Sequence, residues 1–167
     1  MDFDTFTAEV EQVRARHALV PGIRCGIGWR VELTHQEIFE RYVYAGAVTR
    51  NPDSIAEMFT EDGVFEAPLV PDGHPLHRPL VGRPAIRAGM AEYHRRHPAG
   101  QDTLNVERSA HVLHETGDPD VFIAEIDVVF DNPDGSRTMS LVQIFRLHGG
   151  RIARLRDYFS EPPTART

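Results

Sequence analysis

RTMSLVQIFRLHGGRIARLRDYF, residues 137–159, decides the fold of this chain. Apolar and polar side chains alternate on both sides of Gly149-Gly150, as they do in two strands that pair through a tight turn and bury one face. One phase of the second strand is Ala153, Leu155, Asp157 and Phe159; the other is Ile152, Arg154, Arg156 and Tyr158. The first phase points inward, and it carries a carboxylate. Burying a charge beside Leu and Phe is costly. Asp157 is therefore expected to be an acid of raised pKa or a hydrogen-bonded base, with pairing to Arg41 or Arg83 as the structural alternative. In the first strand the inward phase is Met139, Leu141, Gln143, Phe145 and Leu147, and Gln143 is its one polar member.

Working backwards, two more runs of period two occupy about 103–115 and 120–131, bounded by Gly117-Asp118-Pro119 and Asn132-Pro133-Asp134-Gly135. Short connections between adjacent strands predict an antiparallel meander. Glu125 and Asp127 share a phase with Ile123 and Val129, opposite Ala124, Ile126, Val128 and Phe130. They look into a cavity if that face is concave and into solvent if it is convex.

Before Pro98 the period is helical. Asp4 to Leu19 reads as a leading helix, followed by a glycine-punctuated arm around Trp29 that either forms a lid or fills a core gap. Thr34 and Glu37 form a capping-box pattern that opens a helix over about 34–48, with Ile38, Tyr42 and Ala45 on one stripe. Asn51-Pro52-Asp53 starts a second helix carrying Ile55, Met58 and Phe59. Glu61-Asp62-Gly63 is expected to turn the chain into a brief strand, Val64 to Ala67, stopped by Pro68. A proline-rich loop leads to Gly82-Arg83-Pro84, which opens a helix with Ile86, Met90 and Tyr93 on one side. Helices first and a meander second give an α+β domain in which helices cover one face of a bent sheet. The expected organisation is an N-terminal helix and arm over 1–33, the domain over 34–161 and a tail over 162–167.

Composition narrows the function. The chain has 167 residues, 41% of them hydrophobic and 26% charged, which suits one domain with its own core. A net charge of −7 argues against nucleic acid, whose binders cluster Lys and Arg. Cys25 is the sole cysteine, the acidic start lacks a secretory pattern, and no run reaches the roughly 18 apolar residues of a membrane span. The expected location is the cytoplasm. Nine histidines invite a metal reading, above all Asp72-x-His74-x-x-His77 and His94-x-x-His97, but neither has a matched third ligand. No metal and no cofactor are expected, because phosphate-loop, dinucleotide and nucleophile-elbow patterns are absent too. His74 and His77 read as loop surface near a pocket mouth, where one can shuttle protons.

Gly63-Val64-Phe65-Glu66-Ala67-Pro68, Leu80-Val81-Gly82-Arg83-Pro84-Ala85-Ile86, Ile144-Phe145-Arg146-Leu147-His148-Gly149-Gly150-Arg151-Ile152 and Leu155-Arg156-Asp157-Tyr158-Phe159 together resemble the SnoaL-like branch of the nuclear transport factor 2 (NTF2) superfamily, over about residues 34–161. The resemblance implies a cone-shaped, curved antiparallel sheet wrapped by about three helices, with an apolar pocket and a homodimer formed through the sheet. It implies a cofactor-independent cyclase or isomerase for a polyketide-like or other apolar metabolite, an epoxide-opening enzyme, or a non-catalytic carrier of a hydrophobic ligand. Arg41-Tyr42 resembles the pair whose tyrosine donates to an enolate in ketosteroid isomerases. The isomerase base position is Ala67, and the second oxyanion donor falls on Gln143. Asp157 matches the water-holding acid of epoxide hydrolases of this fold and Asp127 its acidic partner. Glu125 stands where those enzymes have arginine, and Phe65 and Ala67 where they have water-gripping polar residues. The general acid of phenazine-assembly proteins also falls on Asp157, and their helix histidine on Gly89. The catalytic set expected is Asp157, Tyr42, Gln143 and Asp127. The expected ligand-lining set is Phe65, Ala67, Met90, Tyr93, Leu141, Phe145, Phe159, His74 and Glu125.

Overall fold

The computed structural model describes residues 33–98, 103–133 and 135–160. The leading helix, the Trp29 arm, Cys25 and the tail lie outside the described residues.

Helix α1, His35–Val43, begins where the capping box places it. The Glu37 N–H donates to Thr34 Oγ1 at 3.2 Å, and the Thr34 N–H donates to the Glu37 carboxylate at 2.8 Å. Two of the first-turn donors are thereby satisfied. The helix widens into a π turn over Tyr44–Val48, where the Thr49 N–H and hydroxyl both return to the Tyr44 carbonyl. Arg50 then takes a left-handed φ of 50° and passes the chain to Asn51. The Asn51 side chain caps α2, Pro52–Glu57, by accepting from Asp53 and Ser54. Ile38, Phe39, Tyr42, Ala45, Ile55 and Ala56 from this pair all enter the core.

Strand β1 runs Phe59–Glu66, five residues ahead of the expected start. Gly63 is the reason: it marks a register shift between Phe59 and Val64 against the last strand, so it makes a bulge rather than a turn. A methyl placed on Gly63 meets Phe59 Cβ at 2.9 Å and the Ile152 carbonyl oxygen at 3.0 Å. The second contact is backbone and cannot swing aside. Gly63→Ala is expected to cost about 1–3 kcal/mol in urea unfolding, whereas Gly117→Ala, which meets nothing within 4 Å, is the silent control.

The short strand β2, Leu80–Val81, pairs with β1 and leads into helix α3, Arg83–Arg96. Arg83 donates from Nε to the Phe59 carbonyl at 2.9 Å. Leu80 packs onto α3 at Gly89, where an added Cβ would lie 2.4 Å from Leu80 Cδ1. The helix position without a side chain is thus filled from β2.

The meander follows as predicted: β3 Thr103–Glu115, β4 Val121–Asn132, β5 Gly135–His148 and β6 Arg151–Tyr158. The sheet order is β2-β1-β6-β5-β4-β3. Every pair is antiparallel except β1 with β6, so the sheet is mixed and not wholly antiparallel. The meander starts at the far edge and returns to β1 as its fourth strand, in the direction β1 already has. The α+β class holds. Helix side chains and one face of the sheet share a single core, centred on Phe122 and Phe145, whose rings stack at 4.5 Å and 4°. No helix among the described residues is long and apolar enough to cross a membrane.

Candidate active site

The site grows from cross-strand register. Gln143 in β5 lies between Ala124 of β4 and Asp157 of β6, and residues directly opposite point to the same face. That face is the inner one, shared with Leu141, Phe145, Leu155 and Phe65. Among the buried residues described, only His74, Gln143 and Asp157 are polar or charged, at 8%, 6% and 9% exposure. Gln143 and Asp157 are neighbours: Gln143 Nε2 donates to Asp157 Oδ2 at 2.9 Å. Gln143 Oε1 and Asp157 Oδ1 have no hydrogen-bond partner among the described residues. Among the described residues no ion pair reaches Asp157. Arg83 is engaged with the Phe59 carbonyl, and Arg41 is exposed on α1.

Burial pushes the Asp157 carboxyl up from 3.8 to about 7, and the Gln143 amide offsets only part of that rise. The phenol of Tyr42 is raised well above its usual value, by burial first and then by the negative charge of Asp157 and by Tyr93. Tyr42 therefore keeps its proton and stands close enough to Asp157 to feel its charge. Its ring meets Phe145 edge-on at 5.5 Å. The site combines a carboxyl poised near neutrality with a protonated phenol and an amide in apolar surroundings. Such a set exchanges a proton and donates to an oxygen that gains charge.

The raised carboxyl also has a sign for stability. Its folded pKa lies above the unfolded one, so between about pH 4 and pH 7 the folded chain binds more protons than the unfolded chain, and stability falls as pH rises. The full difference is about 4 kcal/mol. Urea midpoints of the wild type and Asp157→Asn, followed across that window, are expected to diverge, with the variant gaining on the wild type towards neutral pH. Glu66 has the opposite slope, but it is common to both proteins. Burial would raise its carboxyl, yet hydrogen bonds from Arg156 and Arg154 outweigh that and hold it low.

Phe65, Ala67, Met90, Leu141, Phe145 and Phe159 are buried in the same core, and Tyr93 packs against it. His74 closes the end near Phe159, its ring 6.1 Å from Phe159 and 5.7 Å from Tyr93. Its Nδ1 accepts from the Leu76 N–H at 3.1 Å, which fixes a neutral ring with its proton on Nε2. His74 is thus buried, against the expectation of loop surface. His77 turns its Nδ1 to the His74 carbonyl, and no metal-holding group of three His, Cys, Asp or Glu occurs among the described residues.

Two expected members fall away. Glu125 and Asp127 lie on the outer face and are exposed. The physical reason is the register: Ala124 and Ile126 face Gln143 and Leu141, so their odd-numbered neighbours point outward. There Glu125 meets His114 at 3.1 Å, and Asp127 accepts from the Ser140 hydroxyl. The open pocket expected at Asp157 is not found in the surface grooves either. A groove of about 380 Å³ is lined by Glu66, Ala67, Pro68, His77, Pro79, Arg156 and Tyr158, and one of about 230 Å³ by residues at the β5 start and Ser160. Asp157, Tyr42 and Gln143 line neither. Asp157, Gln143 and Tyr42 are each less than a tenth exposed.

Sequence reasoning also missed how the far end of α3 is tied down. The Arg50 guanidinium donates to the carbonyls of His94 and His97, and nothing in the spacing of those residues signals it.

Solved structures share this architecture. A protein from Bacillus subtilis named provisionally as an isomerase is 24% identical, with 75% of this chain and 85% of that one covered and a TM-score of 0.59. A protein of ketosteroid isomerase-like fold from Catenulispora acidiphila, solved with trimethylamine, is 18% identical over 77% of this chain and 88% of its own, with a TM-score of 0.54. SalBIII, the epoxide hydrolase/cyclase-like enzyme of pyran ring formation in the polyether salinomycin, is 21% identical over 75% and 89%, with a TM-score of 0.52. At these identities the likeness establishes the fold. No curated protein matches the chain at a significant level. Residues 39–155 match the SnoaL-like domain family, and the chain belongs to it.

Proposed function

We propose that the protein is a cofactor-independent acid–base catalyst, a cyclase or isomerase of a small apolar metabolite that carries a carbonyl group. The observation that carries this reading is Asp157: buried, unpaired with any cation among the described residues, and shifted to about 7. A carboxyl there takes a proton from a carbon next to a carbonyl and returns it elsewhere, with little driving force lost in either direction near neutral pH. Tyr42 donates to the oxygen as enolate charge develops, which is worth most in a site without water. Gln143 holds Asp157 with one of its two amide N–H bonds, and the other is left for an oxygen of the substrate. A polyketide-like substrate and a homodimer through the sheet belong to this proposal.

Epoxide hydrolysis fits less well. The carboxylate expected to assist, Asp127, is on the far side of the sheet, and the water-gripping positions are the apolar Phe65 and Ala67. The test is solvent deuterium incorporation into candidate carbonyl metabolites by the wild type and by Asp157→Asn. Exchange or ring closure that vanishes in the variant supports the proposal. A ligand bound unchanged by both proteins identifies a carrier instead.

A further inference from the structure

Gln143 brings two groups into the core, and Asp157 occupies only one. Its Nε2 is on Asp157 Oδ2 at 2.9 Å, while its Oε1, fully enclosed, accepts from nothing among the described residues. Asp157 Oδ1 is in the same condition. An enclosed acceptor without a donor costs about 1–3 kcal/mol. Holding the ionised Asp157 requires an N–H alone, so above the Asp157 pKa the carbonyl half of Gln143 is left without a donor among the described residues. Its strand neighbour there is Ala124, which has no hydrogen to offer from its side chain.

We infer that the ligand of this site carries an O–H or N–H donor, seated on the carbonyl oxygen of Gln143 beside the atom that exchanges a proton with Asp157. The inference rests on the acid–base reading for the role of Asp157 and adds the ligand's class: a hydroxylated carbonyl compound, not a bare ketone or hydrocarbon. Its carbonyl accepts from Tyr42 and its hydroxyl donates to Gln143. A ligand offering only acceptors would meet Gln143 Oε1 and the ionised carboxylate with lone pairs against lone pairs.

Two probes of nearly equal shape separate this from plain hydrophobic binding. The full chain, labelled with nitrogen-15, is titrated at about pH 8, above the Asp157 pKa, with 2-naphthol and with 2-methylnaphthalene. A purely apolar cavity takes the methyl compound more tightly, because a hydroxyl loses its water on entry. A site built to accept a donor takes the naphthol more tightly, by about tenfold or more. The expected result is that preference, with the Gln143 side-chain amide resonances displaced by naphthol and the preference abolished in Gln143→Met. Equal binding, preference for the methyl compound, no saturable binding of naphthol, or an unchanged preference in a folded Met variant each overturns the inference. The wild-type comparison decides by itself if the variant does not fold. Because it reads binding and not turnover, it is separable from the acid–base proposal. Activity surviving in Asp157→Asn would sink that proposal and leave the probe preference as measured.

Discussion

Asp157→Asn is expected to lower turnover by about 10²- to 10⁴-fold, the usual contribution of a positioned proton-transfer group. Asn keeps the shape and can still meet Gln143, but it cannot accept a proton. The same change removes an ionised carboxylate from apolar surroundings, so at neutral pH the variant should unfold at a urea concentration no lower than the wild type. This combination is the informative part. Loss of activity together with loss of stability would assign Asp157 to the structure, whereas loss of activity with stability kept or gained assigns it to the chemistry. Turnover at the wild-type rate would leave a binding protein.

Phe145→Ala is expected to produce the largest loss of stability from a single core change, about 3–5 kcal/mol. Phe145 is fully buried, stacked on Phe122 and met edge-on by Tyr42 at 5.5 Å and Phe39 at 6.2 Å. These rings come from α1, β4 and β5, so no single element can move to refill the space. Urea unfolding measures the loss, and Val142→Ala on the exposed face of the same strand, expected within about 0.5 kcal/mol, gives the baseline. Tyr42 loses its wall in the Phe145 variant, so activity should fall in whatever fraction remains folded.

The last two strands are legible in the sequence because one face is buried with period two from Met139 to Phe145 and from Leu155 to Phe159; the register shift between Arg146 and Leu147 turns Ile152 inward out of that phase. Asp157 and Gln143 stand out for the same reason, as polar residues in an apolar phase. The capping box at Thr34 is equally local and equally readable. What is not readable is relational. Gly63 has the composition of a turn, and only the partner strand makes it a bulge. In β4 both phases contain Ile and Val, so alternation alone does not say which one faces Gln143. That choice put Glu125 and Asp127 outside. His74 sits in a segment whose prolines predict surface, but its ring is drawn inward by Tyr93 and Phe159, which are distant in sequence. The likeness to isomerases marks Gln143 as a donor, and only the geometry shows that one of its two N–H bonds holds Asp157.

The position of β6 between β1 and β5 bears on how the molecule comes into being. The helices with β1 and β2 form one part, and β3 to β5 form another; the hydrogen-bonded ladder passes between them only through β6. During synthesis β6 is the last of the strands to emerge, so each part waits with an unpaired edge, β1 on one side and β5 on the other. Such edges invite pairing with other chains. Closure is a late, non-local event of the kind that slows folding. The strand that completes the sheet is also the one that delivers Asp157, so the carboxyl enters the core in the same step that joins the two parts.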